Sequence, residues 1–266
     1  ASIDRIRVFT ADGSPLVPGG AATVEVTYWA GTAQARTAVY DSYYSAPHCH
    51  SACSSCDSGS LLNGRDGVSG LVEANQPNTI YNSCADGSGS TQTESIEKIV
   101  VHTMDGTMMM PGRTVQVDVT ARIAFSGSDR IDLYRTTNAD SPSWSFLTTL
   151  TPPSNGIQTL STTYVLSPGA LQAIRAQIRF GGFPGTCTAG SYNDRDDLIF
   201  PVGSPERLDL FLTANAQSPA WSAVTTGNMP PSTGANVFST ALTLPAGGLP
   251  AIRAQLRNVI GGGSCE

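Results

Sequence analysis

Apolar and polar residues alternate with a period of two along much of this chain. Ile3 to Phe9 interleaves apolar and charged positions, and so does Ile96 to Val101. Val24-Glu25-Val26-Thr27-Tyr28 and Val115-Gln116-Val117-Asp118-Val119 alternate in the same way. That period places the apolar side chains on one face of a strand. Ile131-Asp132-Leu133-Tyr134 and Ala173 to Phe180 read as further strands. Thr148 to Thr151 and Thr159 to Val165 bring β-branched residues to either side of Pro152-Pro153. Asp12-Gly13, Pro18-Gly19, Asp105-Gly106 and Pro111-Gly112 are turn dipeptides between these runs. No stretch carries a helical period. Short strands with Gly/Pro punctuation predict an all-β chain built as two antiparallel β-sandwich domains, Ig-like or jelly-roll-like.

The strand pattern repeats, and the copies are nested. Ser2-Ile3-Asp4-Arg5-Ile6-Arg7-Val8 returns as Ser95-Ile96-Glu97-Lys98-Ile99-Val100-Val101. Arg130-Ile131-Asp132-Leu133-Tyr134 returns as Arg207-Leu208-Asp209-Leu210-Phe211, and Ser141-Pro142-Ser143-Trp144 as Ser218-Pro219-Ala220-Trp221. Ala173 to Arg179 returns as Ala251 to Arg257, with Cys187 opposite Cys265. The order is first half, both halves, second half. Two organisations fit. In one, residues 1–37 and 205–266 form an outer domain with a complete module, 38–204, inserted between them. In the other, half-domains are swapped with a neighbouring chain. Contiguous pairing is favoured because it needs no concentration-dependent assembly step. The module runs on after Cys187 through Gly190 to Phe200, whereas the outer copy has only Glu266 after Cys265. Its last strand is expected to be missing or to come from another molecule.

Composition narrows the class. Of 266 residues, 40% are hydrophobic, so packed cores are expected, but only 14% are charged, against roughly 25% in a typical soluble domain. Ser, Thr and Gly fill the difference, which suits β-rich extracellular proteins. The net charge of −6 argues against a nucleic-acid partner. No apolar run reaches the roughly 18 residues of a membrane span. The start at Ala1 suits a mature or excised segment. Six cysteines, Cys49, Cys53, Cys56, Cys84, Cys187 and Cys265, read as disulfides formed in an oxidising compartment. Spacing leaves their pairing open, with Cys84–Cys187 as one candidate bridge.

Several groups of residues invite chemistry. The run Asn193-Asp194-Arg195-Asp196-Asp197 makes Asp194, Asp196 and Asp197 candidate calcium ligands, because hard cations take clustered oxygen donors; Asp86 and Glu94 stand as contributors. His48-Cys49-His50, with Cys53 and Cys56 following, allows zinc or copper, but a disulfide-knotted loop explains the same residues. Trp144 and Trp221 are either sugar-stacking platforms or core anchors, and the repeat favours anchors. Asp132 and Asp209 recur in both copies, which fits a structural role better than a carboxylate pair for hydrolysis. No nucleophile elbow occurs, and no Ser, His and Asp fall in catalytic contexts. No enzymatic activity is expected.

Ala38 to Ser42, Cys56 to Arg65, Asn75 to Ile80, Cys84 to Gly87, Glu94-Ser95-Ile96 and Ser191 to Leu198 form an ordered series of motifs. Over about residues 38–203 this series resembles a secreted β-rich module appended to extracellular proteases of myxobacteria and found in surface glycoproteins of algae and other protists. His48 and His50 depart from the usual pattern. The resemblance implies an accessory or structural unit. The expected function is therefore a non-enzymatic structural or adhesive segment of a longer surface glycoprotein or fibre, located outside the cell or on its surface. Its partners would be neighbouring copies or other segments of the same long chain. A calcium-dependent glycan-binding accessory module of a secreted hydrolase is the alternative.

Overall fold

A computed structural model describes residues 2–30, 33–65, 72–88, 94–203, 206–229 and 234–258. The chain divides into two compact units: a discontinuous one, Ala1–Thr32 with Ser204–Glu266, and a central one, Ala33–Gly203. Among the described residues the regular elements are strands and one 3-10 turn, and no helix is long and apolar enough to cross a membrane.

The discontinuous unit opens with β1 (Ser2–Phe9) and β2 (Ala21–Ala30). The central unit follows with β3 (Ala35–Thr37), β4 (Val39–Asp41), β5 (Ala46–His48), β6 (Ser55–Asp57), β7 (Ser95–Thr103), β8 (Thr114–Ile123) and β9 (Asp129–Thr136). It continues with β10 (Ser145–Leu150), β11 (Gly156–Val165), β12 (Leu171–Phe180) and β13 (Asp194–Pro201). The discontinuous unit then resumes with β14 (Glu206–Thr213), β15 (Ser222–Asn228), β16 (Gly234–Thr243) and β17 (Ala251–Asn258). The expected boundary at 37/38 falls instead at 32/33. Ala35–Thr37 pair in parallel with Ser55–Asp57, and this pairing ties them to the central unit.

In the discontinuous unit the sheets run β1-β2-β16 and β15-β14-β17. In the central unit they run β11-β8-β7-β6-β3 and β10-β9-β12-β13-β5-β4. Pairing is mostly antiparallel; β5–β13 and β3–β6 are parallel. The repeat is preserved down to register. Ser2 faces Trp29 as Ser95 faces Arg122, Gly234 faces Ala30 as Gly156 faces Ile123, and Leu208 faces Leu256 as Ile131 faces Ile178. Register shifts recur as well. The shift between Ile3 and Arg5 matches that between Ile96 and Lys98, and the one opposite Leu210/Phe211 matches that between Phe146 and Thr148. An extra residue at a fixed place bends and twists its strand, so shared bulges mean a shared strand path.

Alternation decides the cores. On β8 every second residue from Val115 to Ile123 is buried. These residues share one core with Ile99 and Val101 of β7, Ile131 and Leu133 of β9, Ile174 and Ile178 of β12, and Leu198 and Phe200 of β13. In the discontinuous unit Val24, Val26 and Tyr28 of β2 pack with Leu208 and Leu210 of β14, and Ile3 and Val8 join the cluster. β13 is covered on both faces: a second cluster of Tyr44, Ala46, Ile80, Ala173 and Ile199 lies on the other side of its sheet.

Two disulfides form among the described residues. Cys49–Cys56, with Cα atoms 6.0 Å apart, links the residue after β5 to β6, and so joins the two sheets of the central unit. Cys84–Cys187 ties the segment after the 3-10 turn (Ile80–Asn82) to the loop before β13. Cys53 corrects the expectation that all six cysteines are bridged. It is a free thiol, buried in the core beside the first bridge. Cys265 lies outside the described residues.

Candidate functional site

β13 positions the acidic run. Strand alternation separates its residues: Asp194 and Asp196 project from one face, Arg195 and Asp197 from the other. Asp194, Asp196 and Asp197 are all fully buried. The expected calcium triad does not form, because Asp197 belongs to a different group. Its carboxylate accepts from Arg175 Nε at 2.7 Å and Nη2 at 2.8 Å, and from the Ile80 backbone N–H at 2.7 Å. Arg175 also donates to the Thr186 carbonyl and to Ser83 Oγ, and its guanidinium lies 4.5 Å above the Trp144 ring. This network holds the 80–84 segment against the sheet, and Cys84–Cys187 closes it. Asp197 is therefore structural.

Asp194 keeps different company. One oxygen from each of Glu73, Asp86 and Asp194 lies within 4.8 Å of the others. At that separation two ionised carboxylates repel by roughly 3.5 kcal/mol at an effective dielectric of about 20, so three pairs sum to roughly 10 kcal/mol. That is comparable to the net stability of a whole domain, about 5–15 kcal/mol. Burial, then the charges of Asp86 and Glu73, push the Asp194 carboxyl well above the usual carboxylate range, although the Ile96 N–H and Arg65 pull the other way. Burial, then Glu73, Asp194 and Asp86, raise Asp196 likewise. No N–H donor reaches either oxygen of Asp196, which meets the Glu73 carboxylate. By contrast, Asp194 accepts from the backbone N–H groups of Ile96 at 2.5 Å and Arg195 at 3.0 Å. Asp86 accepts from the Arg195 N–H at 3.1 Å, and Glu73 accepts from the Asn78 side-chain amide. The Arg195 guanidinium is turned to the carbonyls of Ala85 and Thr188. Glu94 is buried, and burial raises its carboxyl; its own backbone N–H and Arg65 oppose the shift, and Asp129 adds to it. The set offers oxygen donors alone, which is the chemistry of a hard cation.

Asp86, expected as a contributor, is therefore in the cluster. Glu73 was not legible: Val72-Glu73-Ala74 carries no motif. The two-residue period of the acidic run was the available signal for separating Asp197 from Asp194 and Asp196.

The histidines form a second group. His48 Nδ1 is hydrogen-bonded to Asp41 Oδ2 at 2.8 Å, the His48 and His50 rings lie 4.2 Å apart, and one ligand atom from each of the three residues falls within 4.8 Å of the others. Such a His/carboxylate set suits zinc or copper. Tyr44 packs edge-on to His48 and donates to Asp140 Oδ1 at 2.5 Å. Neither Asp41 nor His48 has a buried polar atom lacking a hydrogen bond. His102 stands apart, paired with Asp118 at 3.1 Å. Trp144 and Trp221 are half-buried, and each has one ring face under a guanidinium, Arg175 and Arg253 respectively. Those faces are closed to a sugar.

The two units differ most in what covers them. Ile99 and Met109 are 0% exposed, and Met110 is 6% exposed. Their repeat counterparts Ile6, Leu16 and Val17 are 39%, 45% and 55% exposed. In the central unit the cover comes from β13 and the cysteine loop. The Met109 N–H donates to the Cys53 carbonyl at 2.9 Å, the Gly203 N–H donates to the Met109 carbonyl at 2.8 Å, and Leu198, Phe200 and Val202 join the same core. The discontinuous unit has no such cover among its described residues. Among the described residues β17 ends its sheet, and a groove of about 360 Å³ is lined by Ile6, Val8, Leu16, Val17, Leu244 and Ile252 among others.

Comparison with protein-family models, with curated proteins and with solved structures finds no match to this chain.

Proposed function

We propose that this chain is a non-enzymatic structural or adhesive segment of a longer extracellular protein or fibre, and that its discontinuous unit takes up a strand from a neighbouring segment of the same kind. The observation that carries this reading is the contrast at equivalent positions: Ile99 and Met109 are sealed in one core with β13 and the cysteine loop, while Ile6 and Leu16 are 39% and 45% exposed. The guest is an extended strand with apolar residues at alternate positions, since β13 fills the same place with Leu198, Phe200 and then Val202. The edge of β17 would supply main-chain hydrogen bonds and the groove would supply side-chain specificity. An apolar edge left open invites unselective pairing, so a dedicated guest is the economical solution.

In this reading each unit is a β-sandwich domain, with the central one inserted in the sequence of the other. The β2–β16 pairing supports closure within one chain rather than exchange between chains. Disulfides support an oxidising, extracellular setting.

The test is sedimentation of the full chain over a micromolar range, with and without a synthetic peptide of residues 194–203. Concentration-dependent assembly that the peptide suppresses is the expected result, and Ile6→Lys should abolish both effects. A monomer at every concentration that takes up no peptide would sink the reading.

A further inference from the structure

We propose that Glu73, Asp86, Asp194 and Asp196 form a calcium site that fastens the 72–86 segment to β13. Three of the four already converge, with ligand oxygens within 4.8 Å of one another. The independent sign of a ligand is Asp196. It is fully buried, it shares the face of β13 that carries Asp194, and no N–H donor reaches its oxygens, which meet the Glu73 carboxylate instead. An ionised carboxylate is not buried without compensation, and here its neighbours are further carboxylates.

The donor set selects the ion. Zinc and copper favour imidazole and thiolate, and the four residues supply oxygen only. Magnesium demands near-octahedral geometry and gives up its water reluctantly. Calcium accepts six to eight oxygens in flexible arrangements, including bidentate carboxylates drawn from a loop and a strand. The neighbouring cations offset the carboxylate charge only in part, since the Asp194 and Asp196 carboxyls stay raised beside them. Arg195 is committed to the Ala85 and Thr188 carbonyls, and Arg175 to Asp197. Arg65 opposes the charge of both Asp194 and Glu94. The bound ion would cross-link two stretches far apart in sequence, as Cys84–Cys187 does covalently.

The site lies wholly in the central unit and does not depend on strand uptake by the other. A monomer that takes up no peptide yet binds calcium would sink that reading and leave this one standing. The experiment is equilibrium dialysis of the full chain, after exhaustive treatment with chelator, against radioactive calcium, with thermal unfolding in parallel. One calcium per chain is expected. Each tenfold rise in free calcium above the dissociation constant should raise the folding constant of the central unit about tenfold, and magnesium should give a much smaller effect. Asp196→Asn removes a charged ligand and gives the side chain an N–H that can donate to Glu73. It should fold in chelator at least as well as the parent and bind calcium at least tenfold more weakly. Glu73→Gln, placed in the loop rather than the strand, should weaken binding similarly. Absence of calcium binding by the parent chain overturns the proposal, and so does unchanged affinity in both variants.

Discussion

Asp132 and Asp209 occupy one position of the repeat, and removing each tests what the buried ion pair contributes in its own unit. Asp132 accepts from Arg179 Nε at 2.6 Å and Nη2 at 3.3 Å, and from the Thr149 hydroxyl at 2.6 Å. The Arg179 and Asp132 side chains are 7% and 0% exposed. Asp132→Ala leaves the guanidinium buried with only the Gly181 and Gly182 carbonyls, 2.6 and 2.8 Å from Nη1, and strands the Thr149 hydroxyl. Breaking a buried pair from one side costs about 3–5 kcal/mol. Because two carbonyls still accept from Arg179, the expected loss is at the lower end, about 3 kcal/mol, which raises the unfolding constant by roughly two decades. The twin pair, Arg257 with Asp209, has side chains 15% and 5% exposed and includes Thr226 at 2.7 Å. Water reaches it more easily, so Asp209→Ala should cost less, about 1–2 kcal/mol. Urea unfolding of the full chain by circular dichroism, with the transitions of the two units fitted separately, reads both values. Asp132→Ala combined with Arg179→Met should recover most of the loss, since no unpaired charge remains. A single Asp132→Ala within about 1 kcal/mol of the parent, or an Asp209→Ala that costs more than Asp132→Ala, would refute the reasoning.

Other outcomes follow from single groups. Burial pushes the Cys53 thiol up to about 11, against a smaller opposing pull from Arg36, so iodoacetamide at pH 8 should leave it unmodified in the native protein and label it in guanidinium, read by peptide mass. Burial tends to raise the Asp209 carboxyl, but the hydrogen bonds from Arg257 and Thr226 outweigh it and hold the carboxyl below the usual range. A carboxyl lowered in the folded state stabilises fully above its unfolded pKa of about 3.9 and loses that contribution as pH falls through the folded value. The stability advantage of the parent over Asp209→Asn should therefore persist at pH 6 and shrink below about pH 4, measured by urea midpoints. Gly169 sits at φ +144 with the Thr137 carbonyl where a Cβ would lie. Gly169→Ala should thus destabilise the central unit by about 1–3 kcal/mol in the same assay.

What the sequence determined by itself was local or periodic. Alternation in Val115 to Val119 and Val24 to Tyr28 marked β8 and β2, Asp-Gly and Pro-Gly pairs marked the turns, and the internal match implied equivalent strands. A strand's side-chain period and a turn's backbone preference are properties of neighbouring residues, so they can be read without the fold. Tertiary structure decided what depends on apposition. Ile6 and Ile99 have the same local pattern, yet one is exposed and the other sealed, because β13 and the cysteine loop lie over only one of them. Cys53 looked like its neighbours in the cysteine-rich loop and became an unbridged core residue once Cys49 met Cys56. Asp197 went to Arg175 while Asp194 met Glu73 and Asp86, because both faces of β13 are covered, with Arg175 and Ile80 reaching one and Glu73 and Asp86 reaching the other. No local rule records which distant segment closes over which face; that follows from how the whole chain packs.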